Sequence, residues 1–263
     1  MSDKGGLHRD YYRRGPDYRC GEPVGFGEVR SQFGFGGLVV GRWVTKEESA
    51  LAANLVFDAL ADLAYLLNVP PATLGLRQSL NLAFGTGGQP GAQAHYAPRS
   101  QTLALAKNAG AGALAHEWWH AFDHYIAGRL FAGKAPGRLS FASDLWLAER
   151  PVKPHPLNQR LQALLATVML SADGQAQHDF VRRSVALDRQ LGRRYFSLPT
   201  EMMARAFEAW VQSRSAIKNA YLVSGTRQSE VAQLGGYPDE AHLASIDLAI
   251  RGYFEPLGQA LSR

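Results

Sequence analysis

The strongest constraint on this chain is the segment AGAGALAHEWWHAFDHYIAG, residues 109–128, which sets His116, Glu117 and His120 into an alanine-rich apolar stretch with helical spacing. Such a stretch folds as a buried helix, and buried imidazoles and carboxylates are costly unless paired or metal-bound. Residues four apart lie one turn apart on the same helix face, so His116 and His120 can hold one Zn²⁺ together. Glu117 sits about 100° round the helix. A carboxylate there can take a proton from a metal-activated water without being a ligand, which is the general-base place in the pattern H-E-x-x-H.

Asp123 and His124 continue the same face, seven residues after His116 and four after His120. One straight helix cannot surround a tetrahedral ion, so the third ligand is expected from another element. Ile126 holds the place where an extended zinc motif needs a third His. Asp123 is read as orienting a ligand imidazole, and His124 either as a partner of the site or as plain surface.

The segment YFSLPTEMMARAFEAWV, residues 195–211, offers that third ligand. Its periodicity puts Glu201, Arg205, Glu208 and Gln212 on one polar stripe, opposite Met203, Ala206, Phe207 and Trp210. Ser197 and Pro199 mark its start. A carboxylate from the first turn, Glu201, completes a His₂Glu set with a fourth position left for water. Glu208 competes for the role, and a solvated stripe with Glu–Arg–Glu pairing is the plainer alternative.

Around these segments the chain reads as α+β, with a small, mostly antiparallel sheet followed by a helix-dominated half. Residues 1–30 read as an irregular arm and 31–263 as a single domain. FGFGGLVVGRWV (33–44) reads as a glycine-punctuated strand or hairpin, 46–67 as a helix ended by Pro70 and Pro71, and 79–86 as a strand. GTGGQPG (85–91) reads as a loop, and 95–106 as one or two short strands bent at Pro98. Residues 132–157 read as an extended surface segment. Helices follow at about 157–172, 175–191, 198–214 and 239–261, with a loop over 224–237.

Composition narrows the chemistry further. Cys20 is the one cysteine, so a metal site must use His and carboxylate ligands, and the usage fits a reducing, cytoplasmic compartment. No apolar run is expected to span a bilayer, since charged residues interrupt 47–69 at helical spacing, and no apolar stretch follows the N-terminal charges. The net charge is +5, and 181–194 holds five Arg against one Asp. The Arg-rich 182–194 stretch reads as a solvated face or as a patch for an acidic partner or nucleic acid.

Three blocks carry a family resemblance: HEWWHAFDHY, the pair NLAFGTGG and AHYAPRSQTLAL before it, and YFSLPTEMMARAFEAWV after it. Together they resemble the zincin-motif large polyvalent protein-associated domain of phages and conjugative elements, from about Phe33 to about Val211. More distantly the chain is similar to lethal-factor-like gluzincin metallopeptidases, in which an HExxH helix is followed by an E-x-F-A-x-x-F helix whose first Glu binds zinc. That resemblance implies Glu201 as the ligand. The pattern departs at Met203, where Phe is usual, and at Arg205, where an acid is common. It further implies Tyr195 as an oxyanion-stabilising hydroxyl, with Arg205 and Glu208 around the ligands. It also implies a zincin-like fold, a phage or mobile-element origin and hydrolysis of a protein or peptide substrate. The strand near 100–106 is expected to pair with an extended substrate. A zinc-containing binding module acting through the Arg-rich stretch is the alternative.

Overall fold

A computed structural model describes residues 6–86, 93–107 and 112–262. The chain divides into two compact units, Met1–Ala121 with Arg214–Ser224, and Phe122–Ser213 with Gly225–Arg263. Most of the 85–91 loop expected from sequence lies outside the described residues.

In the first unit, β1 (Arg13–Arg14) pairs antiparallel with β6 (Lys218–Asn219). Helix α1 (Phe26–Phe33) starts inside the stretch read as an irregular arm. It is too short for periodicity to announce, but its ends are well specified. The Glu28 carboxylate accepts the Gly25 N–H, and Gly34 closes the helix at φ 68°. Phe26, Val29 and Phe33 are buried, and the Phe33 ring meets Phe57 of α2 (Lys46–Leu67) edge-on at 5.1 Å.

Helix α2 opens with a reciprocal cap. Thr45 Oγ1 accepts the Glu48 N–H at 3.2 Å, and Glu48 Oε2 accepts the Thr45 N–H at 2.9 Å. By length and composition α2 could cross a membrane, but 67% of its apolar window is buried in the protein. The carboxylates that interrupt it are paired: Asp58 with Arg19 at 2.9 Å, and Asp62 with Arg13 at 2.8 Å. These two arginines tie the N-terminal segment to the helix.

Four strands form the main sheet: β2 (Leu38–Val40), β3 (Asn81–Phe84), β4 (Ala94–Ala97) and β5 (Thr102–Leu105), in the order β2-β3-β5-β4. The α+β reading holds, but the sheet is not mostly antiparallel. β2 pairs with β3 and β3 with β5 in parallel, and only β4 runs antiparallel to β5. The cause is the connection. A 22-residue helix between β2 and β3 returns the chain to the end where it started, which makes the next strand parallel. Nor do residues 33–44 form a hairpin, since β2 leads through a turn into α2.

Helix α3 (Leu114–Leu130) carries the HEWWH segment, and the boundary between the units falls within it. Its start is held by main-chain bonds from residues 221–224. Gly112 donates to the Tyr221 carbonyl at 3.0 Å, and Ala115 to that of Leu222 at 3.1 Å. Asn219 Oδ1 accepts the N–H groups of Tyr221 and Leu222, while its Nδ2 donates to Asp62 Oδ2 at 2.8 Å. A continuous polar chain thus runs from Arg13 through Asp62 and Asn219 to the start of α3.

The second unit is helical: α4 (Ala142–Leu147), α5 (Pro156–Met169), α6 (Asp179–Leu191), α7 (Pro199–Ser213), α8 (Glu230–Gln233) and α9 (Glu240–Leu261). α5 packs along α9, and α7 packs on α4, α5 and α9. Leu164, Val168, Phe180, Phe207, Trp210, Ile246 and Ile250 fill this core, and Trp210 Nε1 donates to Asp247 at 2.8 Å. The stretch 132–157 is not wholly extended. α4 forms within it because Asp123 on α3 takes the N–H and hydroxyl of the buried Ser143 at 2.9 and 2.5 Å. The short α8 likewise lies inside the expected 224–237 loop, capped by Ser229.

Candidate metal centre

His116 and His120 occupy one face of α3, as their spacing requires, and are 8% and 9% exposed. Their Nε2 atoms converge to 3.1 Å. Their neighbours Trp118 and Trp119 are almost fully buried, and Trp118 Nε1 donates to the Leu74 carbonyl at 3.0 Å, which fixes the helix's rotation.

His116 and His120 thus offer two converging nitrogens in the first unit, and Glu201 stands in the first turn of α7, in the second. This donor set fits zinc. Bonds of about 2.0–2.1 Å at a tetrahedral angle separate two ligand nitrogens by roughly 3.3–3.4 Å, a few tenths from the 3.1 Å observed. Two neutral imidazoles and a carboxylate are also the borderline donors that zinc takes, and no thiolate is needed.

Glu117 points to a different neighbour. Its Oε2 accepts the Tyr96 N–H at 2.7 Å. Tyr96 lies on β4, the edge strand, at a position paired with Leu103. Gln93 and Ala106 form a hydrogen-bonded pair at 2.9 Å. By antiparallel alternation the Tyr96 amide therefore faces away from β5, and Glu117 meets it there. The strand expected to pair with substrate, near 100–106, corresponds to β5, which is interior between β3 and β4. The edge is β4.

The remaining expected site residues have definite partners. Asp123, almost fully buried, holds Ser143 as described. His124 is buried, not plain surface, with Nε2 bonded to the Arg138 carbonyl at 2.7 Å and its ring tilted against Phe141. Arg205 is 2% exposed and donates to the carbonyls of Gly236 and Phe196 and to Ser184 Oγ at 3.2 Å. Burial holds its guanidinium below its ordinary pKa, against the opposing pull of Tyr237, Glu208, Glu201 and Tyr195. Glu208 is buried and accepts from the Tyr237 hydroxyl at 2.9 Å. Gln212 accepts from the N–H and hydroxyl of Thr226. The stripe on α7 is thus not a solvated face: Arg205 and Glu208 are buried, and Arg205, Glu208 and Gln212 each bond to other segments.

Tyr195 lies on the strap before α7, partly exposed, with its ring edge-on to Phe196. Ser197 does not cap α7 as expected. Its N–H goes to Asp188 Oδ2 at 2.9 Å, and the helix starts at Pro199. Asp188 also takes the N–H groups of Tyr195 at 2.9 Å and Phe196 at 2.7 Å. Burial opposes its charge, but bonds from Ser197, Tyr195 and Phe196 hold its carboxyl below the ordinary range. Sequence reasoning missed Asp188. Its one signal was being the sole acid among five arginines in 181–194.

Three of those five arginines have partners within the fold, although Arg182, Arg189, Arg193 and Arg194 are exposed. Arg182 pairs with Asp179 and donates to the Gln177 carbonyl at 2.7 Å. Arg183 reaches the carbonyls of Gly235 and Tyr237 at 3.2 and 3.3 Å. Arg193 lies over the Phe196 ring.

Residues 187–261 match a family model described as large polyvalent protein-associated domain 1. The match takes in Asp188, Tyr195, Glu201, Arg205 and Glu208 and runs through α9, which the resemblance read from sequence left uncovered. HEWWH lies outside it. No curated protein matches the chain, and no solved structure does.

Proposed function

We propose that this chain is a zinc-dependent metallopeptidase of the gluzincin type, with a zincin-like catalytic domain. The observation that carries the reading is the convergence of the His116 and His120 Nε2 atoms at 3.1 Å on one helix face, with Glu117 one residue after the first of them and Glu201 as the proposed third ligand. A purely structural zinc site has no use for such a carboxylate. The phage or mobile-element origin rests on the family resemblance.

When bound, zinc supplies a Lewis acid that lowers the pKa of water and polarises a carbonyl. His116, His120 and Glu201 would hold it. Glu117 takes the proton from the attacking water and passes it to the leaving amine. Its bond to the Tyr96 amide aims the carboxylate and ties it to the edge strand. Tyr195 donates to the developing oxyanion. An extended peptide pairs with β4, an edge strand of the sheet, beyond the Tyr96 amide that Glu117 already takes.

The test compares the wild-type chain with Glu117→Gln in host lysate, reading new protein termini by mass spectrometry. Loss of new termini with zinc retained is the expected result. Equal cleavage by both proteins would show that Glu117 is not the base. The alternative, a zinc-containing module that binds nucleic acid or an acidic partner through 182–194, has less support, because no nucleic-acid motif accompanies the arginines and Arg182, Arg183 and Arg193 each have a partner within the fold. Salt-dependent DNA binding unchanged by Glu117→Gln would favour it.

A further inference from the structure

We propose that Asp188 is a positioning residue of the metal centre, fixing Glu201 and Tyr195 through the backbone of residues 195–197. The inference rests on the zinc reading above.

Asp188 stands in the last turn of α6, where the carbonyl end of the helix disfavours negative charge. Its place is therefore poor for α6 and calls for another purpose. The carboxylate spends both oxygens on the strap that follows: Oδ1 on the N–H groups of Tyr195 and Phe196, Oδ2 on that of Ser197. Bonds to a carboxylate are among the stronger hydrogen bonds, and three to consecutive amides fix the strap's path. Pro199 then enters α7 with a preset φ and no N–H to satisfy. The Met202 N–H closes the first turn on the Leu198 carbonyl at 2.9 Å. Glu201 is the third residue of that turn. The opposite side of the strap is gripped by Arg205, which donates to the Phe196 carbonyl. Tyr195 and Glu201 thus stand at the two ends of a short segment whose first three amides are clamped. Ligand placement within about 0.5 Å governs whether a metal site works, so the clamp should register in metal affinity.

The test uses the full chain with Asp188→Ala, Asp188→Asn, Glu201→Gln and, as a destabilised control, Ile250→Val in the core of the second unit. Zinc affinity is measured by chelator competition, and coordination by the visible spectrum of the Co²⁺-loaded protein. Asp188→Ala is expected to weaken zinc binding about tenfold or more. Its Co²⁺ spectrum should shift toward that of Glu201→Gln, and the amides of 195–197 should exchange faster. Asp188→Asn keeps an acceptor oxygen and should fall between; it carries the test if the alanine variant does not fold. Ile250→Val should keep wild-type affinity and spectrum. Wild-type affinity and spectrum in Asp188→Ala would overturn the inference while leaving the zinc reading intact. A wild-type chain that binds no zinc would remove both, even if the amides of 195–197 still loosened.

Discussion

Asp62 has no exposed surface, yet it receives Arg13 twice at 2.8 Å and the Asn219 amide at 2.8 Å. Removing one partner of a buried charge network leaves the others uncompensated, at a cost of about 3–5 kcal/mol. Asp62→Ala should therefore lower stability by that amount in urea unfolding, and Asp62→Asn by less. A loss under about 1 kcal/mol would mean that the pair is solvated in solution. Gly112 is equally exacting. Its φ is 108°, and an added Cβ would stand 2.0 Å from Ser224 Oγ. Gly112→Ala should cost about 1–3 kcal/mol or more, read as a lower Tm, because residue 112 and the start of α3 share their bonds with 221–224. At this scale the sequence disclosed the histidine pair well. Histidines at i and i+4 declare their own geometry, and their Nε2 atoms do converge. Asp62 and Asp188 stayed hidden. Each reads as an ordinary polar interruption of a helix, because Arg13 and the 195–197 amides that explain them are brought in by tertiary structure.

Among the elements, the stacked pair His178 and His242 predicts a pH dependence. Their rings lie 3.6 Å apart and nearly parallel, joining the start of α6 to the first turn of α9. His178 Nδ1 accepts the Phe180 N–H, and His242 Nε2 donates to the Thr167 carbonyl at 2.9 Å, so both bonds suit neutral rings. His242 Nδ1 is buried with no partner, leaving a second proton there unstabilised. Asp239, Asp179, Arg183 and Arg182 are the charged groups around the pair. Burial is the main cause that lowers the His178 pKa, and it pushes His242 down to about 4. The folded state therefore binds fewer protons than the unfolded chain. The stability this contributes is complete above about pH 6.5 and is lost as pH falls toward 4. Urea unfolding at pH 7.5, 6 and 5 should show this loss, and His178→Asn with His242→Phe should flatten it. Equal slopes in variant and wild type would contradict it. The long helices α2, α3, α7 and α9 were legible because their apolar periodicity runs over four or more turns. Strand direction was not, since three- and four-residue strands look alike in either orientation and only the α2 connection decides between them. α1, α4 and α8 were too short to declare a period.

Across the whole molecule, the +5 net charge is not a nucleic-acid signature by itself. With partners in the fold for Arg182, Arg183 and Arg193 and no nucleic-acid motif beside them, DNA binding should be weak and non-specific, lost steeply between 50 and 200 mM salt with no sequence preference. Fluorescence anisotropy with two unrelated duplexes checks this, and tight, sequence-selective binding would revive the binding-module reading. The family match to 187–261 covers the strap and α7 but not HEWWH, so the zinc proposal stands on donor chemistry and geometry. Zinc K-edge absorption on the purified full chain tests it most directly. The expected result is about one zinc per chain, nitrogen and oxygen ligands at about 2.0–2.1 Å, two imidazoles in the outer scattering, and loss of one of these in His120→Ala. A chain that binds no stoichiometric zinc, or a spectrum that His116→Ala, His120→Ala and Glu201→Gln all leave unchanged, would contradict it.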